Sequence, residues 1–224
     1  SYAVITMDEM LLYIDACKLS EEILTILADA NIKLRPYNAI YEDVLTLEAG
    51  KSVLIDPKRI NPEDFVAVVE ISKGSKKKYE LDKETGHIIL DRILHTSTHY
   101  PANYGLIPRT YGDDKDPLDV LVLCSETIRP MSLVRVYPIG VISMLDNGEG
   151  DEKIIAIPFS DPTYNTYKDI SELPPHIFEE MRHFFSVYKN LEGKETVVDK
   201  IQNREKAIEI IKASIDNYVA EFCR

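Results

Sequence analysis

Hydrophobic positions near the start of the chain recur at helical spacing. A capping box formed by Thr6 and Glu9 accompanies one such run, and Ser20 can cap a second. The first run is Met7, Met10, Leu11, Ile14 and Cys17, and the second is Ile23, Ile26, Leu27 and Ala30. Because residues three and four apart share a helix face, this spacing predicts two helices, followed by an irregular linker over residues 31–38.

From residue 65 the pattern changes to short apolar or alternating runs, which are typical of β-strands. The runs are FVAVVEI (65–71), KKYELD (77–82), HIILD (87–91), VLVLC (120–124), LVRVYPIGVI (133–142) and KIIAIP (153–158). The DKETG sequence between the second and third runs has the polar residues and the glycine of a hairpin loop. Short strands at close spacing predict a small barrel or a sandwich.

The end of the chain returns to helical spacing. One apolar stripe is Ile177, Met181, Phe184, Phe185 and Tyr188, and another is Ile208, Ile211, Ile215, Tyr218, Val219 and Phe222. The chain is therefore predicted to be an α+β protein with a mainly β core and flanking C-terminal helices. We expect a helical N-terminal extension over residues 1–48 and one main domain over residues 49–224.

Composition excludes several classes of protein. A net charge of −12 opposes binding to nucleic acid or to anionic membranes. The apolar runs are too short to cross a bilayer. The three cysteines are widely spaced, without zinc-site spacing, which favours a reduced, cytoplasmic compartment.

Two clusters of acidic residues stand beside predicted strands. The stretch DDKDPLD (113–119) has four carboxylates in seven residues, and DNGEGDEK (146–153) follows later. Each could be a solvated acidic loop, and neither has the spacing of an EF-hand. Several carboxylates that converge on one cleft are costly unless cations neutralise them, and oxygen-rich sites suit Mg²⁺, Mn²⁺ or Ca²⁺.

Further polar residues accompany these acids. Glu70 interrupts an apolar run, and Lys78 and Glu80 share one face of their strand because they are two residues apart. The basic and phenolic candidates are Lys78, Arg92, Tyr100, Tyr104, Lys153, Tyr188 and Lys189. Together with metal ions, such donors would hold phosphoryl oxygens. The alternatives are a solvated lysine run, a core tyrosine and a surface ion pair of Arg92 with Asp91.

The amino-acid sequence over roughly residues 62–215 resembles that of family I soluble inorganic pyrophosphatases. The signature D-x-D-P-x-D stands at residues 114–119. The likeness includes VVEIS, KKKYELDKETGHIILDR and HYPANYGLIPRTYGDDKDPLDVLVL, and continues through RVYPIGVISMLDNGEGDEKIIAIP and HFFSVYKNLEGK. Several specific motifs in the right order make chance an inadequate explanation.

The resemblance implies a small five-stranded β-barrel of the OB type with flanking helices. It also implies hydrolysis of inorganic pyrophosphate to two orthophosphates by in-line attack of a metal-activated water. Several Mg²⁺ ions per active site would be required, with Mn²⁺ or another divalent ion as a substitute. Family members form dimers or hexamers, so we expect a homo-oligomer with no nucleic-acid or membrane partner.

The resemblance also assigns roles to residues. The metal ligands would be Asp114, Asp119, Asp146 and Asp151, with Glu70 and Glu80 acting mostly through metal-bound waters. Asp116 would be the general base, and Tyr104 and Lys189 would join it as catalytic groups. The substrate-binding residues would be Lys78, Arg92, Tyr100, Tyr104, Lys153, Tyr188 and Lys189.

One residue departs from the family pattern. Lys115 stands in a signature position where the family usually has a small or polar residue, and we expect its side chain to point to solvent. Two other functions stay open: a metal-dependent phosphohydrolase that acts on nucleotides or polyphosphate, and an OB-fold binding module.

Overall fold

The computed structural model describes residues 61–222 apart from 147, 148 and 195. Before residue 61 it describes residues 2–5, 10–14, 16–36, 39 and 43. The chain divides into two compact units, Ser1–Ile55 and Asp56–Arg224.

The N-terminal unit contains a three-stranded sheet and one α-helix. Its strands are β1 (Tyr2–Ile5), β2 (Met10–Tyr13) and β3 (Ile32–Arg35), and its helix is α1 (Glu21–Asp29). The central strand β2 pairs antiparallel with β1 and parallel with β3. Ser20 caps α1, because its side chain accepts a hydrogen bond from the Ile23 amide at 3.4 Å. The second predicted helix is thus confirmed.

Two predictions for this unit are wrong. Met10–Tyr13 is a strand, not part of a helix, and Ile32–Arg35 is a strand, not linker. The MLLY run lies between two strands, and backbone pairing on both sides outweighs its helical spacing. The predicted capping box over residues 6–9 lies outside the described residues. The described part of the N-terminal extension is therefore α/β and not purely helical.

The larger unit carries most of the secondary structure. Its strands are β4 (Phe65–Ile71), β5 (Lys77–Leu81), β6 (Ile88–Ile93), β7 (Asn103–Leu106), β8 (Asp119–Val122), β9 (Leu133–Asp146), β10 (Glu149–Pro158) and β11 (Thr196–Asn203). Its α-helices are α2 (Pro175–Val187) and α3 (Arg204–Phe222). Short 3₁₀ helices cover Ile170–Glu172 and Asn190–Glu192.

The sheet of this unit is mixed. Its strand order is β10-β8-β7-β4-β9-β11, and β9 also pairs with β10. The β10–β8 pairing is parallel and the other pairings are antiparallel. Strand pairings therefore lead from β10 through β8, β7, β4 and β9 back to β10. Strands β5 and β6 form a separate antiparallel hairpin.

All six predicted strands and both predicted C-terminal helices are present. The sequence missed β7 and β11. Strand β7 is four residues long and includes Gly105, and β11 contains a register shift between Val198 and Lys200 that breaks its alternation. Both features weaken the alternation of apolar and polar residues, which is the signal that identifies a strand in a sequence.

Both faces of the sheet are buried. Alternate residues of β10 belong to different core clusters, with Ile155 and Ile157 in one and Ile154 and Ala156 in the other. The first cluster includes residues of α2, and the second includes residues of α3. Successive strand residues point to opposite faces, so each helix covers one face. None of the described helices is long and apolar enough to span a membrane.

Candidate active site

One cavity of about 240 Å³ in the larger unit collects most of the predicted site residues. Twelve of the fourteen line it. The carboxylates are Glu70, Glu80, Asp114, Asp116, Asp119 and Asp151, and the other side chains are Lys78, Lys153, Lys189, Tyr100, Tyr104 and Tyr188. The two acidic clusters of the sequence thus contribute to one cavity, as predicted.

The remaining two residues do not line the cavity in the described structure. Arg92 in β6 lies opposite Lys78 of β5 in the hairpin register, so it is next to the cavity wall. Asp146 ends β9, where its backbone lies opposite Glu149, and its side chain lies outside the described part of the chain.

A tight turn presents the first acidic cluster. The Gly112 amide donates to the Asp116 carbonyl at 2.8 Å, and the Lys115 amide donates to the Gly112 carbonyl at 3.1 Å. The Asp114 carboxylate accepts from the Asp116 amide at 3.1 Å. Lys115 has a φ of 67°, in the left-handed region. Lys115 stands between Asp114 and Asp116 in the sequence, and its side chain is exposed, as expected.

A buried anchor follows the turn. The Leu118 side chain is buried, and its amide donates to Thr110 Oγ1 at 2.8 Å. Its carbonyl accepts from the Ile107 amide at 2.8 Å. Asp119 then begins β8, so its carboxylate stands on a strand that is hydrogen-bonded on both sides. The paired strand therefore holds the Asp119 backbone in place, which accounts for an acidic residue at the start of an apolar strand.

Lys153 connects the two acidic clusters. Its Nζ lies 2.7 Å from Asp119 Oδ2, 2.8 Å from Asp151 Oδ1 and 3.2 Å from the Tyr104 hydroxyl. The Tyr104 hydroxyl also donates to Asp119. Burial would lower the pKa of Lys153, but the charges of Asp119 and Asp151 outweigh it and raise this pKa. The buried ammonium therefore stays charged.

Two irregularities in strand pairing lie beside functional side chains. The β4–β7 register shifts between Val69 and Ile71, at Glu70. The β5–β6 register shifts between Lys78 and Tyr79. An extra residue in one strand bends it and redirects the side chains there, often beside active sites. This accounts for an acid inside the otherwise apolar run of β4.

Negative charge is crowded in the cavity. Burial raises the pKa of Glu70 to about 7, and the charge of Asp119 adds to this, although the Leu81 amide donates to Glu70 at 2.7 Å. Burial likewise raises the pKa of Asp114 to about 6, helped by the charges of Asp151 and Asp119. A cation in the cavity would favour the ionised form of both carboxyl groups.

Phenols and aromatic rings form the opposite wall. Tyr100 and Tyr104 are both buried, with ring centroids 5.3 Å apart. Tyr188 stacks on Phe184 at 5.2 Å. Burial raises the pKa of Tyr100 and of Tyr104, so both hydroxyl groups stay neutral and can donate hydrogen bonds near neutral pH.

Sequence reasoning missed two charged residues of this region. Lys83, in the turn between β5 and β6, lines the cavity and its Nζ contacts Asp116. Glu192 accepts a hydrogen bond from Arg92 Nε at 3.1 Å. Lys83 could have been found from its position in the DKETG turn after Glu80, whereas nothing in the sequence relates Glu192 to Arg92.

The donor set fits a hard divalent cation, because carboxylate oxygens predominate. Among the described residues, however, no three His, Cys, Asp or Glu side chains already form a group that could hold an ion. Asp119 and Asp151 point their oxygens at Lys153 instead. Their oxygens would have to turn from this ammonium toward an ion, and the crowding around Glu70 and Asp114 favours such binding.

A mixed sheet that presents crowded carboxylates opposite lysines and phenols defines a class of protein: enzymes that use divalent cations to act on phosphoryl compounds. Comparison with known proteins identifies the family. Residues 67–219 match the family model described as inorganic pyrophosphatase. The chain belongs to the inorganic pyrophosphatase family.

Individual relatives agree with this assignment. The chain is 44% identical to soluble inorganic pyrophosphatase 1 of Arabidopsis thaliana over 213 residues, which cover 95% of this chain and 93% of that protein. It is 49% identical to soluble inorganic pyrophosphatase 2 of Chlamydomonas reinhardtii over 164 residues, or 73% of this chain and 85% of that protein.

Solved structures show the same likeness. The inorganic pyrophosphatase of Helicobacter pylori superposes with a TM-score of 0.68 at 41% identity, covering 75% of this chain and 98% of that one. That of Thermus thermophilus gives a TM-score of 0.69 at 36% identity, covering 73% of this chain and 96% of that one.

The N-terminal part has a likeness of its own. Residues 1–87 match the family model described as creatinase/prolidase N-terminal domain. This match overlaps the pyrophosphatase match over residues 67–87, and it includes the whole N-terminal unit.

Proposed function

We propose that this chain hydrolyses inorganic pyrophosphate to two orthophosphates. The observation that most supports this is the single cavity in which twelve of the fourteen predicted residues meet. The soluble inorganic pyrophosphatases of plants and bacteria to which the chain is similar support the same substrate.

The carboxylates of the cavity divide between two tasks. Asp114, Asp119, Asp146 and Asp151 would hold Mg²⁺, with Glu70 and Glu80 acting through water. When bound, such ions neutralise the anionic substrate and acidify water. Asp116 is the general base in this proposal, because its side chain is 65% exposed and lines the cavity, where it can take a proton from the attacking water.

The cations and phenols hold the phosphoryl groups. Lys78, Arg92, Lys153 and Lys189 supply positive charge, and Tyr100, Tyr104 and Tyr188 supply neutral hydroxyl donors. Lys189 and Tyr104 stabilise the charge that develops on the leaving phosphate. The attacking water forms a bond to one phosphorus in line with the bridging P–O bond that breaks, the other phosphate leaves, and no phospho-enzyme forms.

The proposal also covers the domain, the barrel, the oligomeric state and the compartment of the protein. Residues 49–224 form the catalytic domain, and the circuit of pairings among β10, β8, β7, β4 and β9 is a five-stranded barrel of the OB type. The protein works as a cytoplasmic homo-oligomer, with no nucleic-acid or membrane partner, in keeping with its charge of −12.

A substrate panel tests the proposal. With Mg²⁺ present, phosphate release from pyrophosphate should greatly exceed release from triphosphate and from ATP. Faster release from ATP or triphosphate would instead support a phosphohydrolase for nucleotides or polyphosphate.

A further inference from the structure

Glu192 is a buried carboxylate that no part of the proposed reaction uses. Its side chain is 6% exposed, and Arg92 Nε donates to its Oε1 at 3.1 Å. The two residues are 100 positions apart in the chain. A carboxylate is rarely buried without a partner, so the contact with Arg92 is the reason that Glu192 can lie there.

A short turn ties Glu192 to the substrate-binding residues before it. Glu192 is the last residue of the 3₁₀ helix that follows Tyr188 and Lys189, and its amide donates to the Lys189 carbonyl at 2.9 Å. Gly193 ends this helix with a φ of 70°, a conformation that glycine adopts without strain. The position of the Glu192 backbone is thus fixed relative to Lys189.

Two of the three nitrogens of the Arg92 guanidinium are paired with carboxylates, and the third is not paired within the described part of the chain. Nε donates to Glu192 and Nη1 donates to Asp91, whereas Nη2 is buried and has no hydrogen-bond partner among the described residues. A buried donor without an acceptor is unfavourable. A planar guanidinium suits phosphoryl oxygens, which can accept from its remaining N–H groups.

Arg92 also interacts electrostatically with residues that line the cavity. Its charge acts on the buried Tyr100, which lines the cavity. Asp91, its other partner, lies 3.3 Å from Lys78 Nζ. The donors of Arg92 are therefore part of the same charged network as the proposed phosphate-binding lysines.

We propose that Glu192 is a positioning residue for phosphate binding. Its carboxylate fixes the plane of the Arg92 guanidinium, so that the N–H groups not paired within the protein are oriented toward a phosphoryl oxygen. It also couples Arg92 to the segment that carries Tyr188 and Lys189, so that the two phosphate-binding segments keep their spacing. This inference rests on the proposed function, because the oxygen is one of pyrophosphate or of its product.

A double-mutant cycle tests this role. The kcat and KM for pyrophosphate with Mg²⁺ are measured for wild type, Glu192→Gln, Arg92→Gln and the double variant. Loss of the carboxylate should lower kcat/KM by about 10-fold or more, since small misplacements of binding groups have effects of this order. In the Arg92→Gln background the same change should alter kcat/KM by less than about 2-fold, because the residue acts through Arg92.

Two further variants separate positioning from a purely structural role. Glu192→Asp keeps a carboxylate and should recover part of the lost kcat/KM. Glu172→Gln is the matched control, since Glu172 also ends a 3₁₀ helix but accepts from the Lys168 amide at 2.9 Å and does not line the cavity. It should stay within about 2-fold of wild type. Thermal melting checks folding, and if Glu192→Gln is unfolded the cycle is run with Glu192→Asp.

Binding of inorganic phosphate, measured by calorimetry on the same variants, gives a readout besides turnover. Affinity for phosphate should fall in parallel with kcat/KM for Glu192→Gln and stay unchanged for Glu172→Gln. The inference is overturned if Glu192→Gln matches wild type in both measurements, or if its full effect persists without Arg92. A wild-type protein that fails to hydrolyse pyrophosphate contradicts the proposed function instead, and phosphate binding then decides the role of Glu192.

Discussion

Lys153 shows how a single buried residue organises the cavity. Its ammonium group contacts Asp119 of the first acidic cluster and Asp151 of the second. The side chain is only 2% exposed, and the two carboxylates keep it charged where burial alone would favour the neutral amine. The sequence identified Lys153 as a candidate for holding phosphoryl oxygens, but it did not predict the contact with Asp119, because spacing along the chain does not reveal contacts between strands.

The proposed general base gives the first prediction at the residue scale. Replacing Asp116 by Asn should lower kcat by roughly 10²- to 10⁴-fold, because proton transfer is lost. Affinity for Mg²⁺ should change far less, since Asp116 is not among the proposed metal ligands. Steady-state kinetics and metal titration measure the two effects.

Asp113→Asn is the matched control for this change. Asp113 is exposed in the same turn and does not line the cavity, so its replacement should leave kcat within about 2-fold. Equal losses of turnover and of metal affinity in Asp116→Asn would make Asp116 a metal ligand instead.

The backbone at Lys115 explains why a small or polar residue is usual at this position of the signature. Lys115 adopts a φ of 67°, which is unfavourable for most residues and tolerated by Asn and Gly. Lys115→Asn should therefore raise the free energy of unfolding by up to about 1 kcal/mol, as measured by urea denaturation. Lys73→Asn, in a turn without a positive φ, should give no such gain, and an equal gain there would refute the backbone explanation.

The raised pKa of Glu70 predicts a pH dependence of stability in the metal-free protein. Folding raises this pKa from 4.5 to about 7, so the folded state holds a proton that the unfolded chain loses between these values. Stability should therefore fall as pH rises through this window and stay low above it. The full shift corresponds to roughly 3 kcal/mol as an upper value.

Glu70→Gln removes this titration. In the presence of EDTA, the variant should be more stable than wild type at about pH 8 and nearly equal to it at about pH 5, as followed by thermal melting. A difference that is the same at both pH values would show that Glu70 ionises normally in the folded protein.

At the scale of elements, strands were predictable and their irregularities were not. Short apolar or alternating runs bounded by polar or turn residues identified β4, β5 and β6. The register shift at Glu70 depends on pairing with β7, which is distant in sequence, and the shift in the β5–β6 hairpin comes from an extra residue, Asp91, in β6. These irregularities lie next to the cavity residues Glu70 and Lys78, and the spacing of polar and apolar residues does not reveal them.

Strand β7 depends on a glycine for its pairing. A Cβ atom on Gly105 would lie 1.9 Å from the Val68 carbonyl oxygen of β4, which is backbone and cannot move aside alone. Gly105→Ala should lower the free energy of unfolding by about 3 kcal/mol or more, measured by urea denaturation. At Gly150 a Cβ atom would have ordinary contacts, the nearest 3.6 Å from Asp113, so Gly150→Ala should change stability little. Equal effects would rule out the close approach as the cause.

At the scale of the whole molecule, the protein is strongly acidic and yet is proposed to bind an anion. The cavity has both carboxylates and lysines on its walls, and in the proposed function divalent ions reconcile the acidic protein, of net charge −12, with its anionic substrate. The sequence predicted the residues of this cavity well because their motifs occur in a characteristic order. It could not predict Glu192, whose partner is 100 residues away.

In the N-terminal unit, by contrast, the sequence predicted the secondary structure only in part. Helical spacing predicted one helix correctly at Glu21–Asp29 and failed at Met10–Tyr13, where β2 lies between two strands. A short apolar run fits either structure, and only pairing decides between them. A separate likeness, to creatinase/prolidase N-terminal domains, covers this unit.

The most direct test of the account is phosphate release from pyrophosphate by the purified protein before chelation, after treatment with EDTA, and after Mg²⁺ is restored. Two phosphates should be released per pyrophosphate with Mg²⁺, and this release should be lost with EDTA and recovered when Mg²⁺ is added back. A folded, Mg²⁺-replete protein that releases no phosphate, or release that EDTA leaves unchanged, would contradict it.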